Sequence, residues 1–462
     1  MKEINKSKKK RLPKFKIRST KKILTSQAGL LPLIYFMKKI NFDSCFKKSV
    51  ELERGVNTIY SLFDIIYKII IGICGGAQSI DKAIYLNKDN TLRMISSDDP
   101  IPNPSTVSRV LQCITQRHAH EFRSFIHLLR TKAWSIAERQ SVFPQASIKR
   151  YIVDIDSTAR SVFGKQEGVC KGYNPSKKSQ PCYNGQLAFL YETKEILQGN
   201  LRPGNTHSIN NMVGFLKELW SKIKDLNVLF RMDSGYFSEE VISYIEQINQ
   251  KYLIKVKLPN IHELKDIAKW ERDDTDKNRY FCEFGYRCKS WSKFRRIVGV
   301  KVKKDKLDNS PKILSRNGNQ LPLFNEFMVD EDSDKNYYYF FYVTNLSSNS
   351  SEVHDLYGDR MTCETWIEES KNQVNLAGFH TNSFWANEIL YQLTIISYNL
   401  FKWMALISNN KTLIKWEIKS VRTYIIRTAG LLVSKNNSYI LEIPEDDYRK
   451  KCWLSWIRVG MT

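Results

Sequence analysis

Tyr151-Ile152-Val153-Asp154-Ile155-Asp156-Ser157-Thr158 is the stretch on which the reading of this chain turns. Before it, from Leu30 to about Ile148, apolar residues recur every three or four positions, as in Ile59–Ile71, Val107–Ile114 and Phe122–Ile136, which is the period of a helix buried along one side. From Tyr151 the period drops to two and β-branched residues cluster, which predicts a strand, with Asp154 and Asp156 on the same face because side chains alternate. Four similar runs follow at Tyr183–Tyr191, Glu195–Leu201, Val228–Met232 and Tyr252–Val256, with helices expected at Asn211–Ile223 and Glu239–Asn249. Three strands joined by turns, then helix and strand in alternation, predict an α/β fold around a mixed five-stranded sheet.

Working outward, Ile267 to Asn345 is strand-like and basic (Arg279–Phe284, Arg287–Trp291, Arg295–Val302, Tyr337–Val343) around a polar stretch from Lys303 to Lys335, which reads as a β-rich insertion. Helical periodicity returns at Asp359–Val374 and Asn387–Met404, and Leu431–Ile443 reads as a hairpin turning at Asn436-Asn437. On the N-terminal side, Pro102-Asn103-Pro104 with Ser105 as cap predicts a short helix over Thr106–Ile114, a candidate for reading DNA or for plain packing. Leu393, Ile396 and Leu400 share one face of the Asn387–Met404 helix, suited to its own core or to an interface with a second copy.

Charge narrows the function class. The chain carries 72 Lys and Arg against 48 Asp and Glu, a net +24, which fits a phosphate-rich partner. Residues 1–22 hold eleven of the cations and one Glu, so the N-terminus reads as a DNA-contacting arm rather than a signal peptide, lacking an apolar run behind its charges. The nine cysteines are scattered and never spaced CxxC, which points away from zinc and disulfides and toward a reducing, cytoplasmic setting. Ile69–Ile80 and Ile389–Phe401 fall short of the roughly 18–20 uncharged residues that span a bilayer, so no membrane is expected as a partner.

Three places can aim carboxylates at one point. Asp156 and Asp233 end predicted strands and are followed by the small residues Ser157 and Ser234-Gly235, the setting of a rigidly held metal ligand. The third is helical: Tyr357, Arg360, Glu364 and Lys371, offset by 3, 7 and 14, fall within roughly 60° of one another on a helix, combining one carboxylate with donors suited to phosphate. Geometry leaves Asp154 open beside Asp156, and Glu368 beside Glu364, since each pair shares a face.

The spacing Y-(2)-R-(3)-E-(6)-K at Tyr357, Arg360, Glu364 and Lys371 resembles the signature around the catalytic Glu of DDE transposases of bacterial insertion sequences. Asp156-Ser-Thr158 and Arg231-Met-Asp233-Ser-Gly-Tyr236 resemble the contexts of that family's two catalytic Asp residues, and Gly172-Tyr-Asn-Pro175 and Leu201-Arg-Pro-Gly-Asn-Thr-His-Ser208 are further similar strings. The resemblance covers about residues 25–445. It implies an RNase H-like core, with Asp156, Asp233 and Glu364 as catalytic residues and ligands of two Mg2+ ions, with Mn2+ as a substitute. It implies Tyr357, Arg360 and Lys371 on DNA phosphates, cut-and-paste transposition through a hairpin, and an aromatic stacking an extruded base, for which Trp291 in the insertion is the candidate. The implied partners are double-stranded DNA, as terminal inverted repeats and target, and a second copy of the chain on the DNA ends, with no small-molecule substrate and a nucleoid-associated location in a bacterial cytoplasm.

The expected organisation is a basic arm and helical DNA-binding domain (1–145), a first part of the core (146–265), the β-rich insertion (266–345), a second part with the Glu helix (346–385), and a C-terminal helical or dimerisation region (386–462). The alternative is a catalytically silent DNA-binding regulator descended from a transposase, against which the intact carboxylate set weighs. His207, in the Thr-His-Ser turn, is expected to make a structural hydrogen bond.

Overall fold

The computed structural model describes residues 16–52, 58–96, 102–172, 180–303, 336–436 and 438–461. The expectations for residues 1–15 of the basic arm, for most of Lys303–Lys335, for Tyr173 to Pro175 and for Asn437 lie outside the described residues.

After a short strand β1 (Ile23–Thr25) come helices α1 (Leu30–Lys39), α2 (Phe42–Ser49), α3 (Leu62–Gly75), α4 (Ile80–Leu86), α5 (Asn90–Ser96), α6 (Pro104–Leu111) and α7 (Gln116–Arg139). Ser61 and Asp64 form a reciprocal capping box that starts α3, satisfying backbone N–H groups that no helix can pair for itself. Helix α6 begins two residues earlier than its sequence suggests: Asn103 caps it by accepting from Ser105 N (3.2 Å), and Pro104 occupies the first turn, where a missing N–H costs nothing. Among the described residues no single helix is long and apolar enough to cross a membrane.

The strands then enter one sheet. β2 (Tyr151–Ser161), β3 (Cys170–Lys171), β4 (Pro181–Leu190) and β5 (Glu195–Pro203) precede α8 (Met212–Ile223), β6 (Val228–Met232), α9 (Glu239–Gln247) and β7 (Lys251–Lys255), with a single tight turn at Ser234–Tyr236 just past β6. The five long strands lie in the order β5-β4-β2-β6-β7, antiparallel across β5, β4 and β2 and parallel across β2, β6 and β7. The sheet does not stop at five. Past α10 (Leu258–Ile267), β8 (Glu271–Arg272), β9 (Arg279–Tyr286), β10 (Arg295–Lys303) and β11 (Tyr337–Thr344) continue it to ten strands, with β11 antiparallel on the edge of β7 through Tyr342↔Lys255. The strands expected as a separate insertion thus satisfy the backbone groups that β7 would leave unpaired. Arg287–Trp291 is not a strand but part of the loop joining β9 to β10.

The remaining elements among the described residues are α11 (Ser350–Gly358), α12 (Met361–Gln373), α13 (Phe384–Ile407), α14 (Lys411–Lys415), α15 (Ile418–Val421), a π-helical turn (Arg422–Ile426), β12 (Gly430–Lys435), β13 (Ser438–Glu442) and α16 (Asp447–Met461). Helix α13 is buried almost from end to end and packs in one apolar cluster with α1–α3, α7 and α16, so its apolar faces are spent within the chain. The hairpin β12–β13 forms as its sequence suggests, with Asn436 at φ 47° in the turn, and β1 joins its edge.

Two faces of the sheet are covered differently. Val153 and Ile155 of β2, with Val228, Phe230 and Met232 of β6, pack under α8 and α9. On the other face Ile152, Leu229 and Leu253 pack with Val353 and Tyr357 of α11, and the chain's two-residue alternation then brings Asp154 and Arg231, and next Asp156 and Asp233, onto that same face.

Buried carboxylates fasten the helices to the sheet. Glu195, fully buried on β5, accepts from Arg130 Nε (3.2 Å) and Trp134 Nε1 (2.7 Å) of α7, Trp403 Nε1 (2.7 Å) of α13, and Thr193 Oγ1 (2.9 Å). Glu388 of α13 accepts from Arg123 Nη1 (3.0 Å), Gln392 Nε2 (2.8 Å) and Leu201 N (2.6 Å). Removing one partner of such a group strands the others without water. Glu195→Ala is therefore expected to cost about 3–5 kcal/mol, read as a lowered midpoint in denaturant unfolding, and a midpoint within error of wild type would contradict it.

Burial pushes Glu388 up to about 7 despite Arg123, against an ordinary value of 4.5. The folded chain holds that proton more tightly than the unfolded chain. The stability this contributes is full below about 4.5 and is lost as pH rises through about 7, a change of about 3 kcal/mol. Glu388→Gln is expected to flatten that part of the stability–pH curve, and a curve parallel to wild type from 4.5 to 7 would rule the assignment out.

Candidate active site

Parallel pairing places Asp154 opposite Arg231 and Ile155 opposite Met232, so the next residues in line are Asp156 on β2 and Asp233 just past β6. Each carboxylate is steadied by the turn behind it. Asp156 Oδ1 accepts from Ser157 N (2.7 Å), and Asp233 Oδ1 accepts from Gly235 N (3.0 Å), capping the short turn Ser234–Tyr236. A Cβ at Gly235 would come within 3.1 Å of that Asp233 oxygen, which is a reason for glycine there.

The two aspartates flank Arg360, which is only 4% exposed. Its Nη2 lies 2.8 Å from Asp156 Oδ2. Burial works against the guanidinium charge, yet Asp156, Tyr357 and Asp233 together hold its proton affinity well above the ordinary value. The Nη2 and Nε protons are not aligned on any acceptor among the described residues, so the contact is an ion pair with donor capacity left over.

Tyr357, Arg360, Glu364 and Lys371 do not lie on one unbroken helix. Helix α11 ends at Gly358 and α12 starts at Met361, and between them Arg360 N bonds to Tyr357 O (3.0 Å), Thr362 N to Asp359 O (3.1 Å) and Cys363 N to Arg360 O (2.9 Å). These tighter three-residue steps overwind the chain by roughly a fifth per residue relative to an α-helix, so the single stripe expected of an unbroken helix is not kept, while Tyr357 and Arg360, three apart, stay on one side. Tyr357 is buried, its ring 4.7 Å from that of Tyr342.

Glu364 lies one turn beyond Arg360 and is exposed, and Glu368 lies one turn further and is exposed too. Among the described residues no group of three or more His, Cys, Asp or Glu is arranged to hold a metal ion. Asp156 and Asp233 fit as a two-carboxylate seat, with the Arg360 guanidinium standing where a cation is called for.

Asp154 is resolved differently from its neighbour. It is fully buried and bound to Arg231 through two bonds, Nε to Oδ1 (2.6 Å) and Nη2 to Oδ2 (2.8 Å), so it is not free to hold a ligand. Lys371 sits at the far end of α12, where Arg160 Nη1 approaches its carbonyl (3.5 Å). Burial lowers the Lys371 ammonium and the Arg160 charge lowers it further.

Trp291 is not available to stack a base. It is 5% exposed, its ring 5.3 Å from Phe237 and 6.2 Å from Tyr286, with the Arg295 guanidinium 4.9 Å from its centre. The tryptophan pins the β9–β10 loop against the turn after Asp233. The exposed aromatic of that loop is Phe294.

The Thr206-His207-Ser208 turn also belongs to the site. Ser208 Oγ is 3.1 Å from Ser157 Oγ, beside Asp156, and 3.5 Å from where a Cβ on Gly235 would sit. His207 is exposed; its carbonyl receives Arg202 Nη1 (3.4 Å) and its Nδ1 receives Ile209 N (3.4 Å), a turn-forming role. Tyr236 lies fully buried under the two aspartates, its hydroxyl raised by burial and then by Asp233 and Asp156. Reading the sequence alone flags neither Ser208 nor Tyr236 as a neighbour of Asp156, since nothing in one dimension joins positions fifty or more residues apart.

A family model described as Transposase DDE domain group 1 matches residues 7–455. A solved structure, described as the cryo-EM structure of piggyBac transposase synaptic complex with hairpin DNA, is similar with a TM-score of 0.39 and 12% identity, covering 86% of this chain and 79% of that one. No curated protein matches.

A carboxylate cluster waiting for metal is usually relieved by neutralisation, but Asp156 already balances a buried cation. Asp156→Asn is expected to destabilise the fold by about 3 kcal/mol, seen as an earlier denaturant midpoint. A midpoint at or above the wild-type value would mean that Arg360 does not rest on this carboxylate in solution.

Proposed function

The chain belongs to the Transposase DDE domain group 1 family, and from that premise we propose that it cuts the ends of an insertion sequence and joins them to target DNA, using Asp156, Asp233 and Glu364. It is a DDE transposase, an enzyme that cleaves DNA. The observation carrying the site assignment is the emergence of Asp156 and Asp233 side by side from paired parallel strands, with a buried guanidinium on the first. The strand order β5-β4-β2-β6-β7, antiparallel then parallel, supports an RNase H-like core within the larger sheet.

Members of the family use divalent metal. Mg2+, with Mn2+ as a substitute, would be held by Asp156, Asp233 and Glu364, and when bound supplies the charge that activates water or a 3′-hydroxyl and stabilises the leaving oxygen. Everything else falls to the chain's own groups. The turns at Ser157 and Gly235 fix the two aspartates, and Glu364, one turn of about 6 Å from Arg360, is assigned as the third carboxylate in preference to Glu368, which lies two turns away. Arg360, with spare N–H donors beside Asp156, suits a phosphate oxygen of the bound strand. Lys371 and Tyr357 are assigned to the same DNA backbone.

The wider reading follows the same premise. Residues 1–145 are proposed as a basic arm and helical DNA-binding region, 146–265 and 346–385 as the two parts of the catalytic core, 266–345 as the β-rich insertion and 386–462 as a C-terminal region serving dimerisation on DNA. The partners are double-stranded terminal repeats and target DNA, and the net +24 supports them through attraction to phosphate. Cut-and-paste through a hairpin, in a bacterial cytoplasm at the nucleoid, completes the proposal.

The test mixes purified chain and Mg2+ with a fragment carrying the DNA ends that flank its own gene. Hairpin-ended release of the element is expected, falling about 1,000-fold or more in Asp156→Asn, Asp233→Asn and Glu364→Gln. DNA binding without cleavage by the wild type would favour a silent regulator, and cleavage surviving any of the three substitutions would reject that residue's role.

A further inference from the structure

Asp154 and Arg231 are each 0% exposed, and they face one another across β2 and β6 in a two-pronged ion pair. Their neighbours on that face, Ile152 and Leu229, are apolar and buried. Taking two charges out of water into such a setting is costly, and a well-packed apolar pair of similar volume often stabilises a fold as well or better. Stability alone is therefore a poor account of the pair. What charges add and apolar side chains lack is direction.

Two directional consequences follow from the contacts. The first is register. A slip of two residues between β2 and β6 keeps every side chain on its own face, so the apolar alternation does not oppose it. Such a slip would set Arg231 against Ile152 or Asp156 and leave a buried charge unmatched. The second is the helix beyond. The remaining nitrogen of Arg231, Nη1, donates to the carbonyl of Leu356, the residue before Tyr357. The guanidinium also lies 5.2 Å from the ring of Tyr191, which packs at 5.7 Å on Trp366 of α12. One side chain thus touches both carboxylate strands and α11, and reaches α12 through Tyr191.

We propose that Asp154 and Arg231 form a positioning pair, which fixes the β2–β6 register and seats the α11–α12 turn so that Asp156, Asp233 and Arg360 meet. Neither residue touches DNA or metal. The proposal rests on the reading of Asp156 and Asp233 as the catalytic carboxylates, and deepens it by naming what aligns them.

The full-length chain carrying Asp154→Leu together with Arg231→Met is the direct test, measured for thermal midpoint, affinity for the terminal DNA fragment and single-turnover Mg2+-dependent cleavage. The expected result is a midpoint equal to or above wild type, affinity within about threefold, and a cleavage rate constant about 100-fold lower, the loss that a misplacement near 1 Å produces. Cleavage within threefold of wild type by this folded double variant overturns the proposal. Should the double variant not fold, Arg231→Lys decides, since it keeps the charge but loses the fork and the reach to Leu356. A rate constant at least tenfold lower with DNA affinity unchanged supports positioning, and a wild-type rate overturns it. The wild-type and Asp156→Asn arms separate the two levels. If the wild type cleaves and Asp156→Asn does not, only the pair is in question; if the wild type fails to cleave, the reading of the site falls and the proposal with it.

Discussion

The parallel pairing of β2 with β6 is the constraint from which the candidate site follows. Parallel strands cannot be joined by a tight turn, so this contact is made between segments about 77 residues apart, with the antiparallel strands β3, β4 and β5 and helix α8 in between. Once the pairing is made in its observed register, the face toward α11 reads in steps: an apolar row, a buried ion pair, then two carboxylates at the edge of solvent. Each step is two residues long because the strand period is two, so nothing further is needed to bring Asp156 beside Asp233.

The helices owe their placement to a different force. An apolar cluster shared by the N-terminal helices, α13 and α16 supplies the attraction, which is non-directional. Direction comes from carboxylates sunk into it. Glu195 collects donors from α7 and α13 at a single buried point on β5, and Glu388 ties α7 to α13 and to the backbone of β5. The N- and C-terminal helical segments, far apart in the chain, therefore form one layer on the sheet.

Electrostatics at the site is partly balanced as the chain stands. Two aspartates converge, and a guanidinium whose charge burial disfavours is stabilised between them. Among the described residues the same arrangement leaves two N–H groups of Arg360 without an acceptor. A phosphate oxygen is an acceptor suited to those donors.

The sequence by itself determined the element types and their order, because hydrophobic period is a local property: the five long strands, the helices between them and the C-terminal hairpin stand close to where the pattern put them. The Asp156, Asp233 and Arg360 positions were legible as a motif. Local pattern does not encode pairing partners, so only the tertiary structure decided that the strands after β7 would extend the same sheet, that Asp154 would be consumed by Arg231 while Asp156 stood at the solvent edge, and that Trp291 would be enclosed. It also decided where the helix after Tyr357 tightens, since a uniform 100° step assumes a regularity that only the packed backbone confirms or breaks. Motif spacing reports which side chains are available. Which of them meet depends on desolvation and packing between distant segments, and those energies exist only once the chain has closed.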